Sequence, residues 1–157
     1  MKTHIVVHHS ATADSGTVSW GAIERYHRET NGWSDIGYHA GVELVGDSYY
    51  SLIGRRPTWA GAACREANMN RSGLHVCCVG DYDQHPPTLG MIRCLIDRVI
   101  LPWMEQYGIT ADNVIGHREA GLSAGFDFRA FGPDGKRQYK TCPGLAFDLD
   151  ALRRMVR

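Results

Sequence analysis

The sequence predicts a single α/β domain, residues 1–157, with a mixed central β-sheet flanked by helices. Three observations carry that expectation. The chain has 157 residues, the size of one ordinary domain and long enough to bury a core without covalent staples. Short β-branched runs alternate with stretches of helical period. Two of the runs are joined by a tight turn, so the sheet must contain an antiparallel pair as well as parallel ones.

Taken in order, "HIVVHH" (His4 to His9) reads as the first strand, rich in β-branched residues. "SWGAIERYHRET" follows as a helix, with Ser19 at the N-cap and Trp20, Ile23 and Tyr26 or His27 at helical spacing. Gly32 stops it. "HAGVELV" and "SYYSLIG" read as two strands of a hairpin turning at "GDS". Residues Arg55 to Arg71 hold Pro, Gly, Asn, Trp and several arginines, the composition of an irregular loop. "GLHVCCVG" is the next strand, with Cys77 and Cys78 expected to pack in the core. "TLGMIRCLIDRVILPWMEQYG" is the longest helix, capped by Thr88, kinked at Pro102 and ended at Gly108. "DNVIGH" is a short last strand. The stretch from Arg118 to Gly144 shows no sustained period and reads as a loop, before a closing helix in "AFDLDALRRMVR".

Seventeen basic and seventeen acidic residues cancel. That balance argues against capture of nucleic acid or of an anionic membrane surface, both of which favour a basic face. No apolar run approaches the roughly 20 residues that span a bilayer. The N-terminal run from Ile5 to Val7 is too short for a signal peptide. Five cysteines form an odd set without framework spacing, which suits free thiols in a reducing compartment. The expectation is therefore a monomer made in the cytoplasm, without membrane insertion or a nucleic-acid partner.

Three places set metal-capable groups beside small or turn-forming residues: "VHHSAT", "NVIGHRE" and "YKTCPG". Two of them fall where predicted strands end, a common position for sites in α/β proteins. Zinc takes imidazole nitrogen and thiolate sulfur, and a catalytic zinc keeps one position open for water. One histidine of the first strand, His117 and Cys142 would supply three such ligands. Spacing alone leaves this open, because a strand-end histidine is often a hydrogen-bonding residue and a lone cysteine a small buried hydrophobe. His8 and His9 point to opposite faces of an extended strand, so they cannot easily share one role.

The ordered set "VHHSAT", "GWSDIGYH", "NRSGLHVCCVG", "GHRE" and "KTCPG" resembles the zinc-dependent N-acetylmuramoyl-L-alanine amidases. This type 2 amidase group includes the peptidoglycan-recognition proteins, and the nearest likeness is to phage lysozymes of the T7 type. The resemblance runs from the first strand to "CPG". It implies the mixed-sheet fold of that family and one Zn2+ per chain. It implies His8, His117 and Cys142 as the metal ligands, and Tyr38 and Lys140 as active-site residues. Peptidoglycan is the implied substrate, cut at the amide between N-acetylmuramic acid and L-alanine. With no signal peptide, the implied setting is a phage or prophage endolysin that reaches the wall after release. The cysteine at the third ligand position points to the phage-lysozyme and recognition-protein branches; the muropeptide-recycling branch usually has aspartate there.

The likeness has departures. Relatives often carry a histidine where Ala63 stands, and compact phage relatives have only a few residues in place of residues 120–139. Such a loop can wall one side of a groove. Asn68 and Gly73 match the family's "N…G" block and read as loop-shaping. Arg55, Arg56, Trp59 and Arg65 are candidates for binding sugar or peptide carboxylates, with Arg55, Trp59 and Asn68 the substrate-binding set. His27 and His75 are expected to be structural or surface residues, and His4 and His85 exposed. Two other readings stand beside the amidase: a non-catalytic peptidoglycan-binding module, and a cysteine peptidase with Cys142 as nucleophile.

Overall fold

The computed structural model describes residues 1–16, 19–125 and 140–157. Strand β1 (His4–His9) lies between β4 (Gly73–Cys78) and β5 (Val114–Gly116), parallel to both. Strand β2 (Ala40–Val45) is parallel to β4, and β3 (Ser48–Ile53) runs antiparallel to β2. The sheet order is β3-β2-β4-β1-β5, the mixed sheet the sequence predicts. Gly46, at φ +65°, supplies the left-handed turn between β2 and β3.

Both faces of the sheet are covered, which is why β1 and β4 carry adjacent apolar residues rather than a strict alternation. On one face Ile5, Val7, Leu74, Val76 and Val42 pack against Met91 and Leu95 of α3 (Leu89–Leu95) and Leu152 of α6 (Leu149–Met155). On the other, Val6 packs with Met69 of α2 (Met69–Ser72) and Ala120 of α5 (His117–Ser123), while Cys77 meets Trp20 of α1 (Trp20–Arg25). Each fully buried Val, Leu or Ile in these layers contributes about 1.5–3 kcal/mol. Register confirms the strand parity. His8 pairs with Cys77 and shares the α1/α5 face, while His9 pairs with Cys78 and shares the α3 face.

The helix starts show what local sequence does and does not determine. Thr88 caps α3 as expected, its hydroxyl accepting from Met91 N–H at 3.2 Å. The long predicted helix continues from α3 through a π-helical turn, Ile96–Ile100, into α4 (Leu101–Tyr107) and ends at Gly108, φ +66°. The widened turn immediately precedes Pro102, which has no N–H and whose ring crowds the carbonyl four residues back. Ser19 precedes α1, but its hydroxyl does not cap the helix. Its N–H and Oγ–H both donate to Glu43 Oε1 on β2, and Trp20 N–H donates to Glu43 Oε2 at 3.3 Å. A fully buried carboxylate on the neighbouring strand thus takes the place of the local cap.

One expectation fails. The stretch from Arg118 onward reads as a loop, yet residues 117–123 form α5. Two turns are too short for a hydrophobic period to register, and Gly121 interrupts what period there is. What starts the helix is the Glu119 carboxylate, which accepts from Gly116 N–H at 2.8 Å. The remainder of the proposed groove-walling loop, residues 126–139, lies outside the described residues. The loop after β3 is largely irregular as expected, but a 3-10 turn, Glu66–Asn68, leads into α2 within it.

All five cysteines are free thiols. Among the described residues, no helix is long and apolar enough to cross a membrane. Replacing Glu43 by Ala leaves three donors at the start of α1, one of them buried, without their acceptor and should cost about 1–3 kcal/mol. A urea-unfolding midpoint unchanged in Glu43→Ala would contradict that account.

Candidate metal centre and active-site cleft

The C-terminal ends of β1, β4 and β5 meet at one sheet edge, where a cleft of about 560 Å³ opens. His8, His117, Cys142, Tyr38 and Lys140 all line it. His8, His117 and Cys142 are buried, and one potential ligand atom from each lies within 4.8 Å of the others. Cys142 Sγ is 3.5 Å from His8 Nδ1. The His8 and His117 rings meet edge-on, 4.9 Å between centroids.

The sequence brings Cys142 to His117 through a set of contacts around the loop. Gly116, just before His117, leaves room for Pro143 and Leu149; an added Cβ would lie 2.6 Å from Leu149 Cδ1 and 2.7 Å from Pro143 Cδ. Arg118 N–H donates to Cys142 O at 2.8 Å. The Arg118 guanidinium donates to the carbonyls of Gly144 and of Phe147, the latter at 2.8 Å. Across the loop, Asp83 accepts from Thr141 Oγ1 at 2.7 Å and from Leu145 N–H at 2.9 Å. Glu119 fixes α5 itself by pairing with Arg153 through both oxygens, each at 3.0 Å. The "HRE" of "GHRE" is thereby divided: His117 faces the cleft, Arg118 holds the cysteine loop, and Glu119 starts the helix.

Electrostatics follow from burial. The Cys142 thiol is pushed up to about 12 by burial, against the opposing pull of the His9 backbone N–H and Lys140. Burial depresses His8 far below the ordinary histidine value, and the neighbouring His117, His75 and Lys140 depress it further. His117 is also lowered by burial, although Glu66 draws it back up. Burial raises Tyr38 well above the usual phenol value, with Cys77 and Cys142 adding to the rise. Its hydroxyl therefore stays protonated near neutral pH and serves as a hydrogen-bond donor.

Several residues without a predicted role are part of this arrangement. His117 Nε2 is 3.0 Å from Glu66 Oε2, and His8 Nε2 is 3.0 Å from His75 Nδ1. His75 in turn receives its neighbour's support, its backbone N–H donating to His39 Nδ1 at 2.9 Å. The signal for His75 was a polar residue inside the apolar strand "GLHVCC", at the same face as His8 once β1 and β4 are paired. Glu66 sits in an irregular loop, and no local pattern marks it. His9 is buried, lines the same cleft, and accepts from Tyr82 N–H through Nδ1 at 3.3 Å.

The proposed substrate-binding set is not gathered at this cleft. Arg55 directs its guanidinium to the backbone carbonyls of Ile36, Asp35 and Ala60 at 2.8–3.0 Å. Trp59 is half-exposed and carries the Arg56 guanidinium over its ring at 5.5 Å. Asn68 is exposed, in the left-handed region at φ +59°. The loop-shaping side chain is that of Asn70, whose Oδ1 accepts from Ala63 N–H at 2.9 Å and Cys64 N–H at 2.8 Å. Of the arginines considered, Arg65 is the one that lines the cleft among the described residues.

With this geometry in place, the likeness to known proteins is decisive at the level of family. The Amidase_2 family, N-acetylmuramoyl-L-alanine amidase, matches residues 2–145. The chain belongs to this amidase family. A human N-acetylmuramoyl-L-alanine amidase is 37% identical over 76 residues, which is 48% of this chain and 12% of the human protein. The chain thus spans about an eighth of the length of that relative. Among solved structures, the endolysin amidase LysCS of Clostridium intestinale URNW superposes with TM-score 0.70 at 22% identity, covering 98% of this chain and 82% of that one. A Drosophila PGRP-LB variant in complex with tracheal cytotoxin superposes with TM-score 0.67 at 19% identity, covering 93% and 77%. At these identities the superpositions establish the shared fold.

Burial also makes the family's sheet acid-sensitive in this chain. His75 is lowered to about 3 and His39 to about 4, both chiefly by burial. Their unfolded value is near 6.5, so below it the unfolded chain takes up protons that the folded chain refuses. Stability of the metal-free protein should be fully present above pH 6.5 and fall toward pH 4, by up to about 1.4 kcal/mol per pH unit for each histidine. Unfolding midpoints that stay flat from pH 6.5 to 4.5 would contradict the neutral, buried assignment.

Proposed function

We propose that the protein is a zinc-dependent peptidoglycan hydrolase that cleaves the amide between N-acetylmuramic acid and L-alanine, and that it serves as a phage or prophage endolysin. The observation that carries this reading is the convergence of His8, His117 and Cys142 at the floor of the cleft. The donor set fits zinc in chemistry and in spacing. A tetrahedral zinc with bonds of about 2.0 Å to nitrogen and 2.3 Å to sulfur sets those atoms about 3.5 Å apart, and Cys142 Sγ and His8 Nδ1 are separated by 3.5 Å. When bound, zinc would polarise the scissile carbonyl and acidify a water to a pKa of about 7.

The chain's own residues do the rest. Burial keeps His8 and His117 neutral at physiological pH, leaving each with a nitrogen lone pair to donate. The Lys140 ammonium stands at the cleft wall, where it offsets the negative charge that develops on the carbonyl oxygen during attack. The Tyr38 phenol, protonated and 5.3 Å from His8 between ring centroids, offers a second donor to that oxygen or orients the attacking water. A second, mostly apolar lobe of about 460 Å³ shares Tyr38 and Ser10 with the cleft and gives room for an extended substrate. The wall-fragment ligand of the PGRP-LB neighbour, described elsewhere in the group as monomeric diaminopimelic acid-type peptidoglycan, supports the substrate class. The LysCS neighbour supports the endolysin setting. A cysteine-nucleophile mechanism is disfavoured, because a thiol at about 12 supplies almost no thiolate without a metal.

The purified protein should carry about one zinc, release N-acetylmuramic acid and L-alanine termini from sacculi, lose that activity to a strong chelator and regain it with added Zn2+. Activity that survives chelation but is abolished by a thiol alkylator would overturn the reading, and wall binding without bond cleavage would favour a recognition module instead. Ligand choice is tested separately. His8→Ala should abolish stoichiometric zinc binding while His9→Ala retains it; equal loss in the two would place the metal wrongly.

A further inference from the structure

The buried ring behind His8 belongs to His75, which is fully shielded from solvent. His75 Nε2 lies 3.0 Å from the carbonyl oxygen of Met69, at the start of α2. A carbonyl only accepts, so the proton of that bond must sit on His75 Nε2. A neutral imidazole carries one ring proton, and His75 Nδ1 is therefore a bare acceptor. His8 Nε2, 3.0 Å from His75 Nδ1, must be the donor of the next bond. The remaining nitrogen of His8, Nδ1, is then unprotonated, and it is the atom that faces Cys142 Sγ.

We infer that His75 is a positioning residue which, anchored on the Met69 carbonyl, fixes His8 as its Nε2–H tautomer and delivers Nδ1 to the metal. This rests on the zinc reading given above for its consequence, although the tautomers themselves hold in the metal-free protein. The anchor is itself held from behind. His39 accepts the His75 backbone N–H through Nδ1 and reaches the Trp59 carbonyl through Nε2 at 3.1 Å, and the two rings stack at 5.4 Å. His117 has a different support, the Glu66 carboxylate at Nε2. One ligand histidine is therefore backed by a charged acceptor and the other by a neutral one. Second partners of this kind orient a ligand ring and choose its binding nitrogen, and their loss costs about 10- to 100-fold in metal affinity.

The test has two parts on the full chain. In wild-type metal-free protein at neutral pH, two-bond nitrogen–proton NMR correlations of the imidazoles should show both His8 and His75 as Nε2–H tautomers. An Nδ1–H tautomer at either would overturn the inference, and this measurement needs no variant to fold. In the second part, zinc affinity is measured by competition with a chromophoric chelator, and cobalt-loaded protein is examined by absorption. His75→Leu, which cannot accept, should bind zinc about 10- to 100-fold more weakly and shift the cobalt bands. His75→Asn, whose Oδ1 stands where Nδ1 stood, should return affinity to within about threefold of wild type. Wild-type affinity in His75→Leu would overturn the role of His75 while leaving the zinc centre intact. A wild-type protein that binds no zinc would instead sink the underlying reading, whatever the tautomers.

Discussion

Parallel pairing of β1 with both β4 and β5 is the constraint on which the rest depends. Parallel strands end together, so the residues that follow them meet at one edge of the sheet. His8 lies at the end of β1, and His117 directly after the end of β5. Antiparallel pairing would have sent those two histidines to opposite edges. Cys142, the third member of the cluster, is not on the sheet at all. It reaches the edge because Arg118 and Asp83 grip both sides of the Cys142 loop and Gly116 leaves room for Pro143.

Support of the cleft therefore comes from polar groups with few alternatives. Glu43 holds the start of α1, Glu119 holds the start of α5, and Asn70 shapes the loop that carries Glu66. Each of these side chains replaces a bond the backbone could not make for itself. Glu43, fully buried, restricts its region to one arrangement, because any other would strand donors or acceptors away from water.

Much of the fold was legible from local pattern. β1, the β2–β3 hairpin, the Thr88 cap and the Gly108 stop all rest on interactions within a few residues, and the sequence displays them. The grouping of His8, His117 and Cys142 is legible only through five short blocks read together. What stayed hidden depends on partners far along the chain. Ser19 looks like a cap because nothing nearby shows that Glu43 will fill that place. Helix α5 was missed because its start depends on a Glu119–Gly116 bond rather than on a period. His75 looked incidental until strand register set it behind His8. The arginines and tryptophan of the irregular loop were suggestive by composition, yet Arg55 uses its donors on three backbone carbonyls.

Burial of Cys142 also governs how the thiol meets oxidants. Oxidants attack thiolate, and a buried thiol held at about 12 carries very little of it. The sulfur is thus shielded from sulfenic acid formation and from disulfide exchange by the same surroundings that make it a poor nucleophile. The thiol that faces His8 is thereby kept in its reduced form.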